Sequence, residues 1–280
     1  MRLYKITLVQ TSQSRPKEVK RFIQSLNAQK GVDFSTIQYI FVDQGDHREI
    51  FSELNPIITF DYIKSEKCSL SHARNLALNI VKGKYIAFPD DDCWYEPDTL
   101  AKVYNLLFDK GYDGVSGIGY NENGRLTSNF PLKSAVITKL NLCAAISYTL
   151  FLRFDSSVIF DENMGVGSPY GIGSGEESDY LLSLLEKNKY KVLYDPSVII
   201  HHPAETDVAK DDIALMKAYK YARGDGYLYR KHKMPISTIV MSIIRPSVGM
   251  CLFACRLKMF EAKRSFYRLK GRFEGLMFKI

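Results

Sequence analysis

The chain has 280 residues, 46% hydrophobic and 25% charged, which is ordinary for a soluble globular protein with a large core and excludes a mainly disordered chain. The net charge of +7 is uneven, because residues 1–216 hold 23 Lys and Arg against 28 Asp and Glu, whereas residues 217–280 hold 15 against 3. We expect one large domain over residues 1–216 and a basic extension over residues 217–280, since single hydrophobic cores stop growing near ~250 residues.

Apolar runs alternate with amphipathic segments through the first 110 residues. The predicted strands are Lys5–Thr11, Ile37–Val42, Ile57–Ile63 and Tyr85–Phe88. The predicted helices are Lys17–Leu26, Glu49–Leu54, Ser71–Val81 and Pro97–Lys110. This alternation favours an α/β fold with a parallel sheet, in which ligands bind beyond the carboxyl ends of the strands.

Polar residues follow three of these strands. Thr11 ends the first, Asp43 follows the second, and Asp90, Asp91 and Asp92 follow the fourth. Because the carboxyl ends of parallel strands share one edge of the sheet, we expect these side chains to converge there.

The run of three aspartates needs a compensating charge. Carboxylates this close repel one another, and a hard divalent ion such as Mg²⁺ or Mn²⁺ takes one or two protein carboxylates together with substrate phosphates. We therefore predict a metal that bridges the protein to a phosphorylated substrate. An acidic surface turn that caps the next helix is the alternative.

The second half of the large domain is less regular. Gly114–Tyr120 predicts a strand with a bulge or a close backbone approach, and Val136–Arg153 is ambiguous between strand and helix. A strand with a turn at Pro196 is predicted over Lys191–Ile200, and His201 and His202 follow it. Since side chains alternate along a strand, at most one of these imidazoles faces the shared edge.

A glycine-rich run comes before the predicted helix Tyr180–Asn188. The glycines are Gly165, Gly167, Gly171, Gly173 and Gly175. Glu176 and Glu177 follow at the mouth of the helix, where the helix dipole favours negative charge. Capping explains one glutamate, whereas the glycines predict a mobile loop in front of them.

The basic extension contains an apolar stretch, Met234–Cys255, interrupted by Arg245 and Pro246. A central Arg costs ~2.5–3.5 kcal/mol in a spanning helix, so we expect the extension to lie on the membrane surface with its cations toward anionic headgroups. The alternative is a solvated helical subdomain that packs on the large domain. Five cysteines without a CxxC pair, and a strand-like N-terminus, predict a reducing, cytoplasmic setting. Together with the extension on the membrane surface, this predicts a location at the inner face of the cell membrane.

In order and spacing, these motifs resemble the family 2 glycosyltransferases of GT-A fold, bacterial type, over roughly Lys5–Pro203. The resemblance rests on six motifs: Gln10-Thr11, Val42-Asp43, Ala73-Arg74-Asn75, Phe88-Pro89-Asp90-Asp91-Asp92, Gly175-Glu176-Glu177 and His201-His202. It implies a GT-A catalytic domain, a mixed sheet flanked by helices, with residues 217–280 as a helical extension.

The resemblance also implies roles for individual residues. Asp92 is implied as the ligand of Mn²⁺ or Mg²⁺, with His202 or His201 as a further ligand. Asp90 and Asp91 are implied to contact the donor, Asp91 at its ribose. Thr11, Asp43 and Arg74 are implied to bind the nucleotide, and Glu177, next to Glu176, is implied as the catalytic base. This sequence departs from the commonest pattern in carrying Gln10-Thr11 at the first strand, Gln44 after Asp43, and a glutamate at position 177.

We accordingly expect an inverting, metal-dependent glycosyltransferase of the hexosyltransferase kind. The favoured donor is a UDP-sugar, the acceptor a glycan or lipid-linked glycan of cell-surface polysaccharide, and nucleic acid is not an expected partner. A nucleotidyl- or phosphotransferase is one alternative, although the sequence has no GxxxxGK[ST] loop. A non-catalytic sugar-nucleotide binding module is the other.

Overall fold

The computed structural model describes residues 4–142, 145–203 and 210–279. The chain forms two compact units. The first comprises Met1–Cys68, His72–Ile159 and Ser183–Glu205, and the second comprises Ser69–Ser71, Phe160–Leu182 and Thr206–Ile280. The predicted boundary between residues 216 and 217 falls inside a helix, and the division there stays a prediction.

The strands are β1 (Tyr4–Ser12), β2 (Ile37–Asp43), β3 (Thr59–Lys64), β4 (Gly83–Ala87), β5 (Trp94–Tyr95), β6 (Gly114–Tyr120), β7 (Ala135–Val136), β8 (Leu150–Arg153) and β9 (Val192–His201). The α-helices are α1 (Pro16–Asn27), α2 (Leu70–Leu78), α3 (Thr99–Tyr104), α4 (Glu176–Asn188), α5 (Asp212–Lys231), α6 (Ile236–Cys255) and α7 (Met259–Met277). Short 3₁₀ turns lie at Phe34–Thr36, Arg48–Glu53 and Ser147–Thr149, and α3 continues as a π-helical turn, Asn105–Asp109.

The strands form one mixed sheet in the first unit, in the order β3-β2-β1-β4-β8-β6-β9-β5, with β7 also paired to β9. The first four strands are parallel, as predicted. Strand β8 runs antiparallel to β4 and β6, and β5 antiparallel to β9. The predicted fold class, a mixed sheet flanked by helices, is confirmed.

Sequence patterns explain the central elements. All seven residues of β2 are buried, as expected of a strand covered on both faces. Helix α1 starts with Pro16 and buries Val19, Phe22, Ile23 and Leu26, which recur at helical spacing. Full burial of each such side chain contributes about 1.5–3 kcal/mol, which fixes α1 against the sheet.

The bulge predicted in β6 is present. The pairing of β6 with β9 shifts between Ser116 and Ile118, and a Cβ on Gly117 would lie 2.3 Å from the Val198 carbonyl oxygen. The residues around Pro196 lie in β9 where the register shifts. The turn expected at Pro196 is therefore an irregularity within β9, which continues through it. The ambiguous stretch from residue 136 ends in a 3₁₀ turn and the short strand β8.

The second unit contains the predicted C-terminal helices, which are confirmed as α5, α6 and α7. Helices α5 and α7 pack at backbone distance, because Cβ atoms on Gly271 and Gly275 would lie 2.3 and 2.2 Å from the carbonyl oxygens of Tyr219 and Arg223. Helix α6 is long and apolar enough, by length and composition, to cross a membrane. Of its apolar 18-residue stretch, 11% is buried inside the protein. That criterion alone is weak evidence for a membrane span.

Candidate active site

The three aspartates after β4 have three different sets of partners. Asp90 meets groups from the protein interior: its Oδ1 lies 3.3 Å from Arg74 Nη2 and accepts a hydrogen bond from Ser147 Oγ, also at 3.3 Å. Burial raises the pKa of Asp90, although the positive charges of Arg74 and His202 oppose that shift. Arg74 is itself buried, so it reaches this carboxylate from inside the protein.

Asp91 and Asp92 share a cation. Asp91 accepts a hydrogen bond from Ser12 Oγ at 2.7 Å and lies 3.1 Å from Arg15 Nη1, which also contacts Asp92. Burial raises the pKa of Asp91 against these two partners. Burial also favours a higher pKa for Asp92, but His202 and Arg15 outweigh it, so the Asp92 pKa is lowered.

The two histidines go to different partners, as strand alternation predicts. His202 Nε2 lies 2.9 Å from Asp92 Oδ1 and 3.8 Å from Asp90 Oδ2, and its ring stacks on Tyr148 with centroids 4.6 Å apart. Burial favours a lower pKa for His202, but the neighbouring carboxylates of Asp92 and Asp90 raise it overall.

His201 belongs to the end of β9 and is paired in register with Trp94 of β5. Its ring stacks on the Trp94 indole with centroids 5.0 Å apart, and its Nε2 contacts the Glu96 carboxylate. Of the two imidazoles, His202 is therefore the one that meets the aspartates.

The donor chemistry at Asp92 and His202 fits a divalent ion. Carboxylate oxygen and imidazole nitrogen are both ligands of Mn²⁺, and Mg²⁺ takes one or two carboxylates with substrate phosphates. Among residues 4–142, 145–203 and 210–279, no three side chains of His, Cys, Asp or Glu are already placed to hold an ion. An ion bound here would complete its coordination with diphosphate and water.

The predicted nucleotide-binding residues at β1 and β2 lie at the ends of neighbouring parallel strands. Thr11 is half-buried, whereas Asp43 is fully buried and accepts hydrogen bonds from the backbone N–H groups of Gly45 and His47 and from the Tyr62 hydroxyl. These bonds, with the His47 ring, hold the Asp43 pKa well below its usual range in spite of burial. Binding a nucleotide base at Asp43 would require one of these bonds to be exchanged.

A cavity of about 540 Å³ adjoins Asp92. Its lining residues are Arg15, Lys17, Glu18, Arg21, Asp92 and Pro203. Arg21 is held in place, because it donates to the Asp92 backbone carbonyl at 2.7 Å and lies over the Trp94 ring at 3.8 Å. Three cations line this cavity against the two carboxylates of Glu18 and Asp92, and this excess of positive charge suits an anion.

The glutamate pair belongs to the second unit. Helix α4 begins at Glu176, which is buried, and Glu177 follows it, partly exposed. Gly165, Gly167, Gly171 and Gly175 have positive φ, so the glycine-rich run is explained in part by a backbone path that other residues rarely adopt. A Cβ on Gly165 would lie 3.1 Å from Glu176 Oε2, so only glycine fits there without a shift.

A buried ionic network fixes the first turn of α4. Asp179 is 1% exposed, and its carboxylate lies 2.8 Å from both His232 Nε2 and Lys231 Nζ. Lys231 also lies 2.7 Å from Asp161, which accepts from the Tyr227 hydroxyl at 2.9 Å. The network therefore anchors the turn that carries Glu177.

Sequence reasoning missed Ser12, Arg15 and Ser147 as partners of the aspartates. Ser12 directly follows the predicted Thr11 and could have been included with it. Arg15 precedes a helix and Ser147 falls in the ambiguous stretch, so neither carried a local signal.

Comparison with known proteins fixes the family. The sequence profile of glycosyl transferase family 2 matches residues 9–164, more than half of the chain. The chain belongs to glycosyltransferase family 2. Glycosyltransferase GlyA of Streptococcus pneumoniae serotype 4 is 37% identical over 73 residues, which are 26% of this chain and 10% of that protein. The match thus spans about a tenth of the length of this relative.

Solved structures support the same fold for this family 2 chain. Residues 1–349 of S. aureus TarS superpose with a TM-score of 0.62 at 14% identity, covering 96% of this chain and 90% of that one. Mannosyltransferase PcManGT from Pyrobaculum calidifontis, in complex with GDP-Man and Mn²⁺, gives 0.62 at 12% identity, covering 97% and 87%. At these identities the likeness shows the fold, which is of GT-A type.

Proposed function

We propose that the chain transfers a sugar from a nucleoside-diphosphate donor to an acceptor hydroxyl, with inversion at the anomeric carbon. The observation that carries the proposal is the carboxylate cluster after β4, where Asp92 meets His202 beside a cavity lined by three cations. Such a site suits a ligand that brings a diphosphate and a divalent ion together.

Asp92 and His202 would hold Mn²⁺ or Mg²⁺. Once bound, the ion would offset the negative charge that develops on the departing diphosphate. Asp90 is fixed by Arg74 and Ser147, so Arg74 acts by holding this carboxylate in position. Asp91 contacts the donor ribose in this proposal, and Thr11 and Asp43 lie near the nucleotide base.

Glu177 is the proposed base, which removes the proton of the acceptor hydroxyl as that oxygen attacks the anomeric carbon. Glu176, buried at the same turn, and the Asp179 network hold its backbone in position. The glycine-rich segment before α4 is proposed to cover the donor and exclude water, since hydrolysis competes with transfer.

The structural neighbours support a sugar-nucleotide donor, since TarS has been solved with UDP-GlcNAc and PcManGT with GDP-Man. We propose a UDP-sugar as the donor. The proposed acceptor is a glycan or lipid-linked glycan of cell-surface polysaccharide, with α6 and the basic residues of the extension resting on the inner face of the membrane.

Replacing the proposed base tests this function. In a screen of UDP- and GDP-sugars with Mn²⁺, the wild type should release nucleoside diphosphate when acceptor is added. Glu177→Gln should lose about 10²- to 10⁴-fold of that rate, the usual contribution of base catalysis, and keep its donor affinity. Glu186→Gln is the matched control, because Glu186 lies on the same helix and pairs with the exposed Lys139.

Three results would contradict the proposal. Near wild-type turnover by Glu177→Gln would show that Glu177 is not the catalytic base. Donor binding by the wild type without product would indicate a non-catalytic binding module. Transfer of a nucleotidyl or phosphoryl group in place of the sugar would indicate a different reaction.

A further inference from the structure

Arg15 occupies the place where a cation is expected. It is the residue that precedes α1, and its Nη1 contacts Asp92 Oδ2 and lies 3.1 Å from Asp91 Oδ1. The other oxygen of Asp92 is taken by His202 Nε2 at 2.9 Å. Both oxygens of Asp92 are therefore already in contact with side-chain nitrogens, one from Arg15 and one from His202.

The two sides of this ion pair differ in exposure. The side chains of Asp91 and Asp92 are 17% and 14% exposed, whereas that of Arg15 is 51% exposed. Asp91 is further held by Ser12 at 2.7 Å. Arg15 is thus the partner that can move, and exposed ion pairs are worth only about 0.2–1 kcal/mol, so its release costs little.

A destination for Arg15 lies next to it. Arg15 lines the 540 Å³ cavity together with Lys17 and Arg21. Arg21 is tied to the Asp92 backbone and to Trp94, whereas the side chain of Arg15 is half-exposed. A guanidinium binds a phosphate group well, since its planar N–H donors match the phosphate oxygens.

We propose that Arg15 is an exchangeable counter-ion for Asp91 and Asp92. In the empty site it neutralises the two carboxylates and competes with a divalent ion. When a diphosphate enters, Arg15 turns to it and leaves Asp92 to the metal. The metal and the diphosphate then bind cooperatively, and by linkage each raises the affinity for the other. This inference rests on the proposed function, whose metal and donor it uses.

The test measures Mn²⁺ binding without turnover. Titration calorimetry or electron paramagnetic resonance gives the Kd for Mn²⁺ alone with wild type and Arg15→Ala. We expect Arg15→Ala to bind Mn²⁺ roughly two- to fivefold more tightly, because the competing cation is gone. At saturating Mn²⁺, the same variant should bind UDP about tenfold more weakly, because one phosphate contact is lost.

Lys17→Gln is the matched control. It removes one positive charge from the same cavity, but Lys17 is not paired with the aspartates in the structure. It should shift the Mn²⁺ affinity by less than about twofold, which measures the general effect of charge through solvent. Arg15→Lys should fall between wild type and Arg15→Ala, because it keeps the charge and loses the planar donors.

The outcomes separate this inference from the proposed function. If Arg15→Ala binds Mn²⁺ no more tightly than Lys17→Gln does, or if it binds UDP as well as the wild type, the exchange is overturned while the glycosyltransferase proposal stands. If the wild type binds neither Mn²⁺ nor UDP, the proposed function itself fails. Tighter Mn²⁺ binding with weaker UDP binding supports the exchange, because a merely misfolded variant would lose both.

Discussion

The three adjacent aspartates show that a shift of one position along the chain changes both the partners and the pKa of a carboxylate. Asp90 points toward Arg74 and Ser147, Asp91 toward Ser12, and Asp92 toward His202. Burial dominates at the first two and raises their pKa, whereas His202 and Arg15 lower the pKa of Asp92. Asp92 is therefore the one of the three whose pKa is lowered, which suits the metal-ligand role proposed for it.

The acid stability of the fold should depend on Asp43. Its pKa is lowered in the folded protein, so its contribution to stability is present above the unfolded pKa of about 3.9 and is lost as pH falls below that value. Asp43→Asn should lower the free energy of unfolding by roughly 2 kcal/mol at pH 7, and the difference from wild type should shrink below pH 4. Urea unfolding of both proteins at pH 7 and below pH 4 measures this difference in the free energy of unfolding.

Asp98→Asn is the control for that measurement. Asp98 is 56% exposed and pairs with Lys102 one helical turn away, so its loss should change the free energy of unfolding by less than about 0.5 kcal/mol. A gap between wild type and Asp43→Asn that stays constant into acid would show that the lost bonds, and not the shifted pKa, account for the effect.

Among individual residues, the sequence predicted those site residues that follow the ends of strands. It did not predict those that reach the site from distant parts of the chain. Thr11, Asp43 and the three aspartates follow apolar strands, so their place at one edge of the sheet follows from the parallel order. Arg15 and Ser147 meet the aspartates across 77 and 57 positions of chain. No local pattern records a contact of that separation.

Among the elements, α5 and α7 depend on glycine for close packing. Gly271→Ala or Gly275→Ala would place a Cβ within 2.3 Å of a backbone oxygen of α5, which cannot move without the helix. We expect each change to lower the free energy of unfolding by about 1–3 kcal/mol, although alanine is the better helix former by ~1 kcal/mol. Thermal or urea unfolding measures the cost.

Gly249→Ala supplies the comparison within α6. Its Cβ would lie 3.3 Å from Ser265 Oγ, 3.8 Å from the Phe253 ring and 3.9 Å from Ser265 Cβ, and the hydroxyl is a side-chain group that can shift. This variant should be neutral or up to ~1 kcal/mol more stable. Equal effects at all three glycines would show that helix propensity, and not interhelical distance, decides their role.

Long elements were predicted well, and short ones were not. Helix α1 and strands β1, β2 and β4 carry their own hydrophobic periodicity over five to twelve residues. Strands β5, β7 and β8 have only two to four residues and exist because β9, β4 and β6 offer them partners. Two to four residues are too few to show a hydrophobic periodicity, so the pairing of these strands could not be predicted from the sequence.

On the scale of the whole molecule, the charge and apolar surface of the extension favour an anionic membrane. The outward face of α6 exposes Val240, Met241, Ile244, Val248 and Leu252. Residues 217–280 carry 15 Lys and Arg against 3 Asp and Glu. We expect the protein to sediment with vesicles that contain phosphatidylglycerol, less so with pure phosphatidylcholine, and less at high salt.

The double change Ile244→Asp and Val248→Asp should reduce this binding at least about tenfold, because it removes apolar area and adds like charge to the lipid. Ile57→Asp is the matched control, since Ile57 is 59% exposed and lies on the first unit. Unchanged vesicle binding by the double variant would contradict the membrane role. A loss of self-association in gel filtration, with no vesicle binding by the wild type, would assign the face to a second copy.

The stacking of Arg21 and His201 on Trp94 makes the intrinsic tryptophan fluorescence of the enzyme a probe of the site. Trp94 is the sole tryptophan of the chain, and its ring is stacked by the Arg21 guanidinium at 3.8 Å and by the His201 imidazole with centroids 5.0 Å apart. Arg21 in turn holds the backbone of Asp92. Loading the site should therefore alter the indole emission directly, and Trp94→Phe should abolish that signal. Stopped-flow fluorescence could then follow ligand arrival without any attached dye.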